Sequence, residues 1–281
     1  MTRPLRSILF VPGTREDRFA SAIASGADAV VFDLEDGVEA GRKLEAREAI
    51  GRFFRETAAA APMRLVRVNQ PASQWFQDDL DFVQATAGVG GVVLPKCEQL
   101  EQLRLVAEVV GAERVFPLIE TARGVLNASS LADAFPSVPA LLFGAEDLTA
   151  EMGIRRTIDG EELLVARSQV ALAASAAGMD AIDAVFTSVT DAEGLRRDAN
   201  RARALGFRGK MAIHPGQIAI VNEIFSPSAA EIEQAGRVVA AFASARSAGD
   251  AVLRLDDEMV DAPVVARAQR VLDLAKRIAG R

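Results

Sequence analysis

Eight short apolar runs constrain this fold more than any other feature of the chain. They are Ser7–Val11, Ala29–Asp33, Leu65–Asn69, Gly91–Leu94, Val115–Ile119, Ala140–Phe143, Ala181–Val185 and Met211–Ile213. Each is nearly continuously apolar, the pattern of a parallel strand buried on both faces. A polar turn and a longer helical pattern follow, for example Glu98–Val110, Gly160–Ala177 and Asp191–Leu205. Gly111, Gly178 and Gly206 fit C-terminal caps of those helices. Eight β-then-α units predict an α/β fold, a closed (β/α)8 TIM barrel. An open doubly wound sheet is the alternative, because a strand count does not close a barrel.

The chain continues for 56 residues beyond position 225 of 281. Residues 1–225 are assigned to the barrel domain and residues 226–281 to a C-terminal helical extension. One tail helix is expected after Ser226-Pro227-Ser228 and runs through about Arg246. A second runs from near Pro263 to about Ile278. Packing, oligomer contact or an active-site lid are the uses expected of this extension.

Composition then removes whole classes of chemistry. A single cysteine forbids an internal disulfide framework, and with a single histidine no zinc site of several Cys and His ligands assembles. A net charge of −7 argues against a general nucleic-acid or anionic-membrane binder. No apolar run approaches the roughly 20 residues of a membrane span. The opening MTRPLRSILF leads into a strand rather than a signal-peptide core, so a soluble cytoplasmic protein is expected. The remaining chemistry belongs to carboxylates, arginines, lysines, hydroxyls or a metal.

Barrel enzymes carry their chemistry at the C-terminal ends of the strands. Here those ends read Asp33-Leu34-Glu35-Asp36, Arg67 with Asn69, Pro95-Lys96, Glu120-Thr121, Gly144-Ala145-Glu146-Asp147 and His214-Pro215. Glu120 and Asp147 close neighbouring strands, about 4.8 Å apart. Two carboxylates without His or Cys favour Mg²⁺, with Mn²⁺ as the second choice, and leave positions open for water and substrate. The alternatives for the pair are helix N-caps or an ion pair with Arg123. Arg67, inside an apolar run, suits a bidentate grip on a substrate carboxylate or a structural pair with Glu35 or Asp36. Glu35 and Asp36 are candidates for holding metal-bound waters or for orienting Arg67. Lys96 is either a Schiff-base lysine or a partner of Glu98 or Glu120. His214 is read as a packed barrel-end residue and Cys97 as a half-buried thiol. Gly88, Gly90 and Gly91 precede a strand, whereas a dinucleotide loop follows one. Asp261, in Met259-Val260-Asp261-Ala262-Pro263, carries an N-cap signature.

Taken in order, several segments resemble the citrate lyase β-subunit-like group of CoA-ester lyases, within the HpcH/HpaI aldolases. They are RSILFVPG (6–13), AVVFDLEDGV (29–38), VRVN (66–69), GGVVLPK (90–96), PLIETARGVLNA (117–128), LLFGAEDL (141–148), AIDAVF (181–186), LGFRGKMAIHPGQI (205–218) and MVDAPVVARA (259–268). The resemblance implies a Mg²⁺-dependent barrel enzyme, usually a homotrimer, acting on a CoA thioester and a 2-oxo or 2-hydroxy acid. It implies Glu120 and Asp147 as metal ligands, Arg67 as the carboxylate grip, and Glu35 and Asp36 as the acids near the metal waters. It also implies Asp261 as an acid/base that reaches a neighbouring subunit's site. One departure precedes Asp261: the tail's usual glycine two residues before the methionine is Asp257 here. The expected reaction is reversible cleavage of a malyl-, citramalyl- or citryl-type thioester. Backbone N–H groups of Gly144, Ala145, Glu146 and Asp147 are expected to help hold the carboxylate. A thioesterase or malate-synthase-like activity, or a citrate lyase β subunit with an acyl-carrier partner, are the alternatives.

Overall fold

A computed structural model describes residues 4–57, 62–247 and 251–280. Leu5–Asn222 form one compact unit; Pro4 and the residues from Glu223 onward belong to a second. The first holds eight strands: β1 (Ser7–Pro12), β2 (Ala29–Asp33), β3 (Met63–Arg67), β4 (Gly91–Leu94), β5 (Val115–Ile119), β6 (Ala140–Phe143), β7 (Asp180–Asp183) and β8 (Gly209–Ala212). They form a closed barrel in chain order. β1 pairs in parallel with both β2 and β8, which removes the open-sheet alternative. The intervening helices are α1 (Phe19–Ile23), α2 (Lys43–Glu56), α3 (Phe76–Ala85), α4 (Leu100–Val110), α5 (Ala122–Ala134), α6 (Glu146–Glu151), α7 (Leu164–Ala176), α8 (Ala192–Leu205) and α9 (Ile218–Ile224).

Strands β3, β7 and β8 begin one or two residues before the apolar runs imply. Charged residues masked their starts. Arg64 in β3 points outward beneath the rings of Phe53 and Phe54, and Lys210 in β8 is buried against Asp183. Asn69 therefore lies in the loop after β3.

Strand alternation sorts the side chains into two cores. Ile8, Val31, Leu65, Val93, Phe116, Leu118, Leu142 and Met211 fill the barrel interior. Phe32, one residue out of phase, packs edge-on against Phe19 of α1 and Phe54 of α2. Gly206 ends α8 at φ +104°, a left-handed conformation that a side chain disfavours. No helix among the described residues is long and apolar enough to cross a membrane.

The second unit contains α10 (Ala229–Ser247) and α11 (Ala262–Ala279), close to the expected tail helices. Between them lies an antiparallel hairpin that the sequence pattern did not reveal, β9 (Leu253–Leu255) and β10 (Glu258–Val260). Asp256 and Asp257 form its two-residue turn at φ +48° and +67°, the type I′ pattern. Asp257 thus takes the left-handed conformation usually given to glycine. Ala235, Val238, Phe242, Val260 and Ala268 form this unit's own core.

Candidate active site

The alternation that builds the interior also builds the site. The inward rows of β2, β3 and β5 continue from Val31, Leu65 and Leu118 to Asp33, Arg67 and Glu120. On β6 the row continues from Leu142 to Gly144. Register sets Asp33 beside Arg67 across β2 and β3. These residues line a cavity of about 360 Å³ together with Phe10, Asp36, Ala145, Glu146, Asp147 and Ile213. A cavity of this size suits a small-molecule site.

Arg67 is gripped by Asp33, with Nε donating to Oδ1 and Nη2 to Oδ2, both at 2.7 Å. Its Nη1 lies 2.8 Å from Glu35 Oε2 as an ion pair. Asp33 also accepts the backbone N–H of Glu35 and of Gly37 at 2.9 Å, tying the β2 loop to the arginine. Burial pushes the Asp33 carboxyl up, but Arg67 and the two amides outweigh it and hold it below the usual aspartate range. The sequence reading paired Arg67 with Glu35 or Asp36 and missed Asp33 as its main partner. Alternation on two neighbouring strands was the available signal. Asp33 uses two of the five guanidinium N–H groups, so the fork retains donors for a ligand.

Glu120 is buried, and its Oε1 accepts the backbone N–H of Lys96 at 2.9 Å. Burial, then the carboxylates of Asp147 and Glu35, push its carboxyl up to about 8. Neither Glu120 nor Asp147 is a helix N-cap: Thr121 caps α5, and Asp147 lies within the first turn of α6. The ion-pair partner of Asp147 is Lys96, at 3.1 Å, rather than Arg123.

The Lys96 ammonium is also 3.2 Å from Glu35 and 3.8 Å from Asp36, so neither Glu98 nor Glu120 is its side-chain partner. Burial pulls this ammonium down, but Glu35, Glu120 and Asp147 more than reverse that and hold it above the ordinary lysine range. A Schiff-base lysine needs the opposite shift.

The other expected residues fall as follows. Gly144 donates its N–H to the Ile119 carbonyl at 2.9 Å, so it contributes space rather than a donor. A Cβ at Gly144 would lie 2.5 Å from the Glu120 Cβ, which explains the glycine. The Glu146 side chain pairs with Arg156. His214 is exposed, not packed; its Nδ1 accepts the Gly216 N–H at 3.1 Å. Cys97 is fully buried rather than half-buried, and burial pushes its thiol up to about 12. Asp261 belongs to the second unit, where its Oδ1 accepts the Val264 N–H and caps α11.

A support beneath the β2 loop escaped the sequence reading. Lys43, at the start of α2, is buried and donates to the carbonyls of Leu34 and Glu35, both at 2.7 Å. The Asn69 amide also reaches Leu34 O, at 2.9 Å, and is itself held by Asp79. No local spacing announces contacts made across the loop.

Among the described residues no three His, Cys, Asp or Glu side chains converge as a ready-made metal cage. The donor set nevertheless fits a hard divalent cation. Six carboxylates, Asp33, Glu35, Asp36, Glu120, Glu146 and Asp147, share this mouth with Arg18, Arg67 and Lys96. Glu35 Oε2 is buried without a hydrogen bond, and burial raises the Glu35 carboxyl above its ordinary value. All the available donors are oxygen, the preference of Mg²⁺.

The family model for HpcH/HpaI aldolase/citrate lyase matches residues 6–215. The chain belongs to this family. It is an enzyme of the family's lyase group. The citrate lyase subunit beta-like protein of Deinococcus radiodurans is 43% identical, over 95% of this chain and 96% of that relative. A (3S)-malyl-CoA thioesterase of Cereibacter sphaeroides is 36% identical, over 98% and 96% of the two chains. The crystal structure of CitE from Mycobacterium tuberculosis, in complex with magnesium, acetoacetate and coenzyme A, is 36% identical. It superposes with a TM-score of 0.83, over 97% of this family member and 98% of that chain.

Proposed function

We propose that this family member is a Mg²⁺-dependent lyase that reversibly cleaves a 3-hydroxyacyl-CoA of the malyl, citramalyl or citryl type into an acyl-CoA and a 2-oxo acid. The observation that carries the reading is the excess of carboxylate around the buried Glu120, set beside an arginine held in place by Asp33 through Nε and Nη2. The CitE complex with magnesium, acetoacetate and coenzyme A supports it by likeness.

Glu120 and Asp147 would hold the cation, which when bound supplies Lewis-acid stabilisation of negative charge on the substrate oxygen. Arg67, immobilised by Asp33, binds the substrate carboxylate and orients the scissile bond. Glu35 and Asp36 fix Arg67 and Lys96 and accept hydrogen bonds from ordered water. The backbone N–H groups of Ala145, Glu146 and Asp147, at the start of α6, help hold the carboxylate. In cleavage the substrate's 3-hydroxyl gives its proton to water at Glu35 and Asp36 and becomes the carbonyl of the 2-oxo acid. The electrons of the breaking carbon–carbon bond pass to the thioester enolate, and Asp261, entering as the carboxylic acid, protonates its α-carbon and is left as carboxylate. In condensation Asp261 removes that proton. The extension, 226–281, would serve a homotrimer, with Asp261 delivered to the site of a neighbouring chain.

A cleavage screen of malyl-, citramalyl- and citryl-CoA, with EDTA and then Mg²⁺, tests this reading. Turnover should vanish with EDTA and return with Mg²⁺; metal-independent turnover overturns it. The identity to a malyl-CoA thioesterase favours one second reading, in which hydrolysis releases free CoA thiol. Product analysis separates the two. The likeness to a citrate lyase subunit favours a third, in which free CoA esters are inert and an acyl-carrier partner is required.

A further inference from the structure

Lys96 is an unusual residue at the mouth. Its backbone is left-handed, φ +46°, although it carries a side chain. Such conformations persist where the surroundings hold them and gather at functional sites. The same residue gives its N–H to Glu120 and its ammonium to Asp147, at 2.9 and 3.1 Å. One residue therefore touches both carboxylates assigned to the metal.

The ammonium has other acids within reach. Glu35 Oε1 is 3.2 Å away and Asp36 Oδ2 is 3.8 Å away, on the opposite loop. Asp36 is exposed and makes no closer ion pair among those described. A flexible four-carbon stem lets the ammonium leave Asp147 while keeping these partners.

A cation bound through Asp147 would stand about 2 Å from its oxygen. The ammonium, 3.1 Å from Asp147 Oδ1, would then face a divalent charge at close range with little water between. Like charges at that separation repel strongly in a half-buried site. The two cations therefore compete for the charge of Asp147.

We propose that Lys96 is a tethered counter-cation of the metal site. With no metal bound, its ammonium neutralises Asp147 and Glu35 and keeps the mouth assembled. Metal entry displaces it from Asp147 towards Glu35 and Asp36, so Lys96 weakens divalent-cation affinity and thereby sets it. The proposal rests on the assignment of Glu120 and Asp147 as metal ligands.

The test uses the full chain stripped with EDTA and desalted, with Mn²⁺ as the probe. Free Mn²⁺ is read by electron paramagnetic resonance, and melting is followed with and without the ion. K96M should bind Mn²⁺ about tenfold tighter than the parent chain, and K96R, which keeps the charge, within about twofold of it. In EDTA K96M should melt below the parent, and Mn²⁺ should raise its Tm by more than it raises the parent's. Unchanged or weaker Mn²⁺ binding by K96M overturns the proposal. K96Q replaces K96M if the latter does not fold, with the same expectations. E120Q and D147N separate the two levels. If both bind Mn²⁺ as the parent does, the metal assignment fails and the proposal with it. If both lose Mn²⁺ while K96M gains nothing, only the role of Lys96 is wrong.

Discussion

Two clusters of buried charge lie in the same barrel and obey opposite logic. At the mouth, six carboxylates stand with Arg18, Arg67 and Lys96. Between the barrel and its helices, Asp183 and Asp198 bind Arg167 and Lys210, with Arg156 also 3.9 Å from Asp198. Lys210 Nζ is 2.6 Å from each acid. Arg167, Asp183 and Lys210 are at most 1% exposed. Alternation decides which cluster a residue joins. Ile182 and Met211 point into the barrel, so Asp183 and Lys210 point outward towards α7 and α8. In the outward cluster the cations match or exceed the carboxylates, and the pairs tie β7 and β8 to α7 and α8. The inward cluster is unbalanced and open, which is the condition for binding a cation.

The sharpest way to break this comparison is to neutralise one acid in each cluster. Glu120→Gln should cut turnover on the order of a thousandfold while the protein stays folded. Asp183→Asn should do the reverse. It leaves Arg167 and Lys210 to share Asp198 alone, and breaking a buried pair costs about 3–5 kcal/mol. Urea unfolding of both variants, beside their kcat, checks the crossing. If Asp183→Asn keeps full stability, the outward cluster does not lock the barrel.

The clusters should also differ in their response to pH. In the metal-free protein the Glu120 carboxyl is raised from 4.5 to about 8. Between those values the folded state holds a proton that the unfolded chain has released. Stability therefore falls as pH rises through this window, by at most about 1.4 kcal/mol per pH unit from this one group. Asp183 is shifted the other way: Lys210 and Arg167 outweigh the cost of its burial and lower its carboxyl. Its contribution is complete above the ordinary aspartate range and is lost only in strong acid. Urea midpoints from pH 5 to 8 in EDTA should show the decline in the parent and a shallower one in Glu120→Gln, where the raised Glu35 carboxyl still contributes. An identical slope in both proteins would remove Glu120 as its source.

The sequence made the barrel legible because parallel strands buried on both faces leave continuous apolar runs. It made Arg67, Glu120 and Asp147 legible because they interrupt or end those runs. Charged positions inside strands hid the starts of β3 and β8, since Arg64 meets the rings of Phe53 and Phe54 and Lys210 meets Asp183 and Asp198, partners outside the strand itself. Lys96 was visible as a strand-end lysine, but its partners depend on a left-handed residue and on the loop after β2. The β9–β10 hairpin was missed because three-residue strands leave too short a pattern, and its turn uses Asp-Asp in place of glycine.

The smallest expected effect concerns how the mouth is held rather than what it holds. Lys43 donates to two carbonyls beneath the Glu35 loop and sits 5.1 Å from the centre of the Trp75 ring. Lys43→Met keeps the packing against Trp75 and removes both donors. Leu34 O keeps the bond from the Asn69 amide, whereas Glu35 O loses its buried donor, at a cost of about 1–3 kcal/mol less whatever water recovers. Stability should therefore fall by about 2 kcal/mol. The amides of Glu35 and Gly37, which donate to Asp33, should exchange faster with solvent while those of β5 do not. Turnover should fall about tenfold, because Asp33 and Arg67 remain paired but the acids beside them lose their fixed position. Hydrogen exchange resolved along the chain is the deciding measurement. Loosening confined to residues 34–37 identifies Lys43 as a positioning residue of the mouth; uniform loosening of the barrel assigns it to the fold, with Arg167 and Lys210.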